Sequence, residues 1–413
     1  MDILCIMGLF PDEYKEQVYR DSIYGVQNAA NNLQWSIILG LDASPDVNLR
    51  ICNSMYIGSY PKRYRAKQIP TFEFSHTEGA ADINVGFNNR SVVKYFSRYR
   101  GICREIDRWA AEHENGAVLA YAMAFPFVQI LRYTKKHYPK LSLCLVVPDL
   151  PEYMNPARID KKLYKAGKRL ESWICRRCVS RVDCFVLLTD TMKEWFNHII
   201  CYTVVEGIAS PTFMDAGRAA LVNPRQKMIL YAGMIEARYG VTDMVDAFRT
   251  VDAPDWTLEI YGDGTALGEI REIAQADPRI IIHGSVANDT VVQAQREASV
   301  LINPRKNNQE FTHFSFPSKI IEYMCSGTPV LAYKLDGMPD EYLPYFYLIN
   351  DKKDGLAEAL RKVIELPEEN RRKMGEAALH FMEERKSAKM QCEKIISVIK
   401  DGMHGAKEKN TLC

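Results

Sequence analysis

No stretch of the 413 residues approaches the roughly 18 apolar side chains of a membrane span, so bilayer contact would have to be peripheral. An excess of one charge is also missing. Lys plus Arg number 53 against 52 for Asp plus Glu, a net +1 that leaves no electrostatic footprint for nucleic acid. Residues 1–10 are apolar but lack a basic leader and a small-residue cleavage site, and Pro11 ends the run. They read as a first buried strand rather than a secretion signal. Tandem repeats and low-complexity tracts are absent too. Cysteine is present but in a pattern that excludes a disulfide scaffold: eleven is an odd count, and runs such as 143–145 and 183–185 embed the thiols among apolar residues. That is the usage of reduced, buried cysteines in a cytoplasmic protein. Cys175 and Cys178 form a lone Cys-x-x-Cys in a basic helical stretch, without a second pair at zinc spacing, and read as structural rather than as metal or redox ligands.

The length exceeds what one core usually supports and points to two domains. Apolar runs alternate with stretches of helical period, the pattern of strand-helix units in parallel sheets. Strands are expected at 2–7, 47–53, 117–120, 142–147, 184–188 and 203–205, with helices near 26–39, 92–114, 124–138, 159–180 and 190–197. Residues 56–89 are less regular and leave extra strands or a loop open. The pattern relaxes at Ser210-Pro211 and across 218–227, a polar, proline-containing linker. Strands then resume at 228–232, 258–261, 280–283, 300–302 and 330–332. The expected class is α/β, with two Rossmann-like doubly wound domains facing a cleft: 1–210, 211–398, with the last helices free to pack back on the first domain, and a polar tail over 399–413.

The most informative stretch runs from Ser315 to Val330, Ser-Phe-Pro-Ser-Lys-Ile-Ile-Glu-Tyr-Met-Cys-Ser-Gly-Thr-Pro-Val. Pro317 and Ser318 suit the opening of a helix, whose free N–H groups can receive a diphosphate. Glu322 falls one turn beyond Ser318 on the same face, where a carboxylate can accept from both hydroxyls of a ribose. Gly327 ends the helix and Thr328-Pro329-Val330 enters the next strand.

At these residues the sequence resembles family 4 of the retaining, GT-B-fold glycosyltransferases, especially the bacterial capsular and exopolysaccharide members. The likeness is dense over 231–335 and looser in the first half. It implies a hexosyltransferase-type enzyme moving a sugar from a UDP- or GDP-linked donor to a polysaccharide or lipid-linked saccharide, with retention of configuration and no metal. Two departures stand out. The family's first glutamate, eight positions before Glu322, is Phe314 here, so Glu310 from a longer loop or the backbone at Ser315 would take its place. In the loop after Gly233, the family's arginine and lysine positions hold Met234 and Tyr239. A leaving diphosphate still needs a cation, and Arg238, Arg305 and Lys319 are within reach of the implied site.

Gly262 and Gly264 resemble the family's glycine turn at the donor; His283-Gly284-Ser285-Val286 sits where the family reads the base through the backbone. Ser285 and Val286 are thus implied donor contacts, and His283 reads as a packed strand-end histidine. Asp149, after an apolar strand and between prolines, matches the position of a family residue that touches donor sugar or acceptor hydroxyl; a plain turn aspartate is the alternative. Residues 21–28, with Gly25, look like the family's loop after the first strand, or a helix-entry turn. No Asp-x-Asp pair is placed to hold a divalent ion against a diphosphate: Asp263 stands alone between glycines. The basic run Lys161–Arg181 with Leu163, Leu170, Trp173 and Ile174 can lie on anionic lipid at the inner face of the cell membrane, or be a solvated helix face. Competing readings are a sugar-nucleotide epimerase or phosphorylase on the same architecture, and a sugar-nucleotide-binding protein without catalysis.

Overall fold

In a computed structural model, residues 1–23, 25–153, 162–196 and 201–411 are described. The chain divides into two units, one of Met1–Glu206 with Ala388–Cys413 and one of Gly207–Ser387. The strands of the first are β1 (Asp2–Met7), β2 (Asn48–Asn53), β3 (Gln68–Ile69), β4 (Phe72–Phe74), β5 (Asp82–Asn84), β6 (Phe87–Asn88), β7 (Ala117–Tyr121), β8 (Ser142–Val147), β9 (Cys184–Leu187) and β10 (Tyr202–Val204). Eight of them form a sheet in the order β10-β9-β8-β7-β1-β2-β5-β4, parallel except for the β4–β5 pair. Ile3 to Met7 are all buried, as expected of a strand covered on both faces. The chain steps outward from β1 to β2 and β5, then returns to β7 on the other side of β1. That reversal is where an open parallel sheet receives ligands at its carboxyl edge.

The second unit holds β11 (Gln226–Ala232), β12 (Thr257–Tyr261), β13 (Ile280–Gly284), β14 (Ala298–Asn303), β15 (Val330–Ala332) and β16 (Phe346–Leu348). All are parallel, in the order β13-β12-β11-β14-β15-β16, with the reversal between β11 and β14. Side chains of β11 alternate between two cores. Met228, Leu230 and Ala232 feed one, Ile229 and Tyr231 the other.

Two sequence expectations change, and one that was open, over 56–89, is decided. The expected linker 218–227 is flanked by structure on both sides: its first three residues end a helix, Pro211–Ala220, in which Pro211 suits the first turn and Met214, Gly217 and Ala220 are buried, and its last two open β11. Residues 56–89 carry the short strands β3 to β6. The expected polar tail is part of a helix, Ala388–Thr411, whose Ile395, Ile396, Val398 and Ile399 are buried in the first unit. The beginnings and ends of two expected helices, 159–161 and 197, lie outside the described residues.

Candidate functional site

The loops after β11 and β14 flank the reversal of the second sheet, and most of the implied donor residues lie on them. β11 is fixed at its end by Tyr323, a buried tyrosine of the Ser318–Cys325 helix. Its hydroxyl accepts from Ala232 N at 2.8 Å and donates to Ala232 O at 3.1 Å. Gly233 N then donates to Tyr261 O at 3.0 Å, and Ile235 N to Asp263 O at 2.9 Å. A Cβ on Gly262, at φ +138°, would overlap the Gly233 carbonyl; one on Gly264 would overlap that of Ile235. These glycines are needed for the two loops to touch, whether or not a ligand follows.

Arg238 and Arg305 converge on Tyr239. Their guanidinium carbons lie 5.2 and 5.0 Å from its ring centre, and Arg305 also lies 4.6 Å from that of Phe311. Tyr239 and Phe311 meet edge to face at 6.3 Å. Arg238 is weakly paired with Glu236 at 3.8 Å, and its Nε is buried with no hydrogen-bond partner. Gly240, at φ +77°, lets the β11 loop approach Pro304 in the β14 loop. The Ser315 hydroxyl is likewise buried without a partner. Two cations on one aromatic platform make an arrangement suited to an anion. The residue that departs from the family lysine, Tyr239, is the platform.

No side chain caps the Ser318–Cys325 helix, whose first residue Ser318 is exposed. Lys319 does not point toward this helix start. Its Nζ is 2.8 and 2.9 Å from the two oxygens of Glu322, which also accepts from Gln295 Nε2 at 2.7 Å. Lys319 thus neutralises Glu322 here. Glu310 opens the short helix Glu310–His313, exposed; among the described residues it makes no ion pair. Ser285 and Val286 are exposed after β13. His283 stacks on Tyr261 at 4.1 Å and its Nε2 is 2.8 Å from Glu259, so it is engaged in packing.

In the first unit, Asp149 is exposed in the bend after β8, close enough that its charge, after burial, helps push up the Tyr121 hydroxyl pKa. Gly25 is not in the loop directly after β1, as expected; the helix Asp12–Asp21 intervenes, with Asp12 and Glu13 favouring its first turn. Gly25 is exposed with open space around it, and Tyr24 lies outside the described residues. The turn that does follow β1 is held by Gln34 and Asn31, which accept from Gly8 N at 2.6 Å and Phe10 N at 2.7 Å. Sequence reasoning missed these two and Gln295, because their partners lie 21 to 27 residues away and no local pattern marks them.

The basic helix is Lys162–Val179, on which Leu170 and Trp173 are 59% and 52% exposed and Arg177 lies 4.2 Å from the Trp173 ring centre. Lys161 and the side chains of Lys162, Leu163, Lys165 and Lys168 lie outside the described residues. Cys175 and Cys178 point inward and are buried. Among the described residues, no helix is long and apolar enough to cross a membrane, and no three His, Cys, Asp or Glu side chains group as metal ligands.

Two Rossmann-type units, each with a parallel sheet that reverses its strand order, define the class of fold: that of the GT-B glycosyltransferases. Residues 226–366 match the family model described as Glycosyl transferases group 1. Sucrose-phosphate synthase from Thermosynechococcus elongatus shares the fold with a TM-score of 0.64 and 13% identity, over 97% of this chain and 99% of that one. HepE of Anabaena, solved in complex with UDP, does so with a TM-score of 0.59 and 12% identity over 97% and 100%. An exopolysaccharide phosphotransferase of Streptomyces coelicolor is 26% identical over 204 residues, 48% of this chain. The match spans only 20% of that protein's length.

Proposed function

We propose that this chain is a retaining glycosyltransferase of family 4 type, moving a sugar from a UDP- or GDP-linked donor to a polysaccharide or lipid-linked saccharide. The observation that carries the reading is the uncapped helix start at Ser318 with Glu322 one turn on, its carboxylate held by Gln295 and Lys319. Helix-start amides suit a diphosphate, and a ribose diol can displace Lys319 from the carboxylate. The structural neighbour solved with UDP supports a nucleotide donor.

In this mechanism the bond between the donor's anomeric carbon and its phosphate oxygen breaks, and the acceptor oxygen bonds to that carbon on the same face. The acceptor proton passes to the departing phosphate oxygen. Arg238 or Arg305, with the amides of Ser318 and Lys319, balances the leaving charge without a metal. Asp149 is assigned to orient the acceptor hydroxyl or donor sugar. The work is assigned to the cytoplasm, with peripheral contact at the inner face of the membrane through Leu170, Trp173 and the neighbouring arginines.

The test is to incubate the chain with UDP- and GDP-sugars and a lipid-linked saccharide, with and without chelator, and to follow free nucleoside diphosphate and product anomer. Turnover should survive the chelator. Glu322→Gln should weaken donor binding by about 1.5–3 kcal/mol, the range for hydrogen bonds to a charged group. Unchanged donor affinity in that variant, magnesium dependence or an inverted product would overturn the reading.

A further inference from the structure

Residues 56–72 contain Lys62, Arg63, Arg65 and Lys67, and residues 87–104 contain Arg90, Lys94, Arg98, Arg100 and Arg104; neither stretch has an acid. The fold brings the two together around Asn89. Its N–H donates to Lys67 O at 2.8 Å, its carbonyl accepts from Tyr60 N at 2.9 Å, and its amide group donates to Gly58 O at 2.9 Å. Lys94 and Arg98 stand one turn apart on the Val93–Glu112 helix, 8% and 4% exposed. Both reach back to the segment that leaves the carboxyl end of β2. Lys94 Nζ donates to Ile57 O at 3.2 Å, and the Arg98 guanidinium donates to Met55 O and lies 4.0 Å from the Phe87 ring centre.

Among the described residues, neither Lys94, Arg98 nor Arg63 pairs with a carboxylate, and the Nε of Arg98 is buried with no hydrogen-bond partner. Two adjoining buried cations held by carbonyls and aromatic faces, with no carboxylate, are costly unless an anion completes them. The exposed Arg63 lies close enough to add its charge to that of Lys94. The cluster sits beside the reversal between β1 and β7, at the edge where parallel sheets bind ligands.

We propose that Lys94, Arg98 and Arg63 form a binding site for the phosphate or diphosphate group of the acceptor. The proposal rests on the glycosyltransferase reading above only in naming the acceptor as the ligand. Guanidinium and ammonium donors fit phosphate oxygens, and this cluster lies in the unit without the donor helix motif. Two sources share the chemistry, a free sugar phosphate and a lipid-linked diphosphate.

The full chain is titrated with inorganic pyrophosphate as wild type, Lys94→Met and Lys94→Arg, with UDP titrated in parallel. Lys94→Met should lose one pyrophosphate site or weaken it tenfold or more; Lys94→Arg should keep it, and UDP binding should be unchanged in both. Unaltered pyrophosphate binding in a folded Lys94→Met protein overturns the site. Should Lys94→Met not fold, the surface variant Arg63→Ser decides: a loss of threefold or more supports the site, and no loss overturns it. Cosedimentation with phosphatidylcholine vesicles, with or without polyprenyl diphosphate, identifies the source. Lys94-dependent capture on the diphosphate vesicles marks a lipid-linked ligand, and Lys94 dependence with soluble pyrophosphate alone marks a free phosphate ester. Absence of UDP binding to every protein, with the pyrophosphate result intact, would count against the donor reading and not against this site.

Discussion

Lys94 carries its amine into surroundings that disfavour charge. Burial, then the charges of Arg98 and Arg63, pull its pKa from 10.5 down to about 8, and burial pulls Arg98 to about 10. The unfolded chain holds the lysine proton to a higher pH than the folded one. Between about 8 and 10.5 the unfolded state therefore binds more protons, and stability rises with pH across that window. Below about 8 the handicap is fully present, and it amounts to roughly 3 kcal/mol. Urea unfolding of wild type and Lys94→Met at pH 7 and pH 10 measures it. The variant should gain on the wild type by about that amount at pH 7 relative to pH 10. An equal difference at both pH values would show that the amine is not charged in a dry site. A bound phosphate should close the gap at pH 7, since it supplies the missing counter-charge.

Two glycines that look alike in the sequence do different work at the level of elements. Gly262 has φ +138° and no room for a Cβ against the Gly233 carbonyl, whereas Gly25 has open space. Gly262→Ala should cost about 2–4 kcal/mol by strain and loop displacement, while Gly25→Ala should change stability by less than about 0.5 kcal/mol. Denaturant melts of the two variants check this; a neutral Gly262→Ala would mean that the β11 and β12 loops do not depend on their contact. The same contrast shows what the sequence could tell. Strands such as 2–7 and 228–232 were legible because a buried parallel strand is a continuous apolar run, and the Ser318 helix because proline, serine and Gly327 mark its ends. The helix Pro211–Ala220 was hidden by its polar face, and β16 by its shortness. The platform of Tyr239 and Phe311 under Arg238 and Arg305 joins residues up to 73 positions apart on separate loops, so no spacing rule shows it. Lys319 was legible as a motif residue but its commitment to Glu322 was not, because either rotamer direction fits the same helical position.

For the whole molecule, chain order and unit membership part company at the end: residues 388–413 follow the second unit in sequence but belong to the first. Gly40 lets the helices Asn28–Asp42 and Ala388–Thr411 touch, since a Cβ there would overlap the Ala388 carbonyl. Cys392 Sγ donates to Ile37 O at 3.4 Å, and Cys201 Sγ to Val398 O at 3.6 Å. Ile395 and Ile399 are fully buried, and Ile396 and Val398 nearly so. At about 1.5–3 kcal/mol for each such side chain, their loss would remove roughly 6–12 kcal/mol, comparable with the whole stability of a typical domain. A chain ending at Ser387 should therefore lose the first unit and keep the second. Hydrogen exchange is the measurement: amides of β1, β7 and β8 should lose protection while those of β11 and β14 keep it. Trp256 gives an independent signal, because it is buried and the other four tryptophans all lie in the first unit. Protection lost in both sheets together would mean that the second unit needs the first to fold; protection kept in β1 and β7 would mean that the terminal helix contributes little.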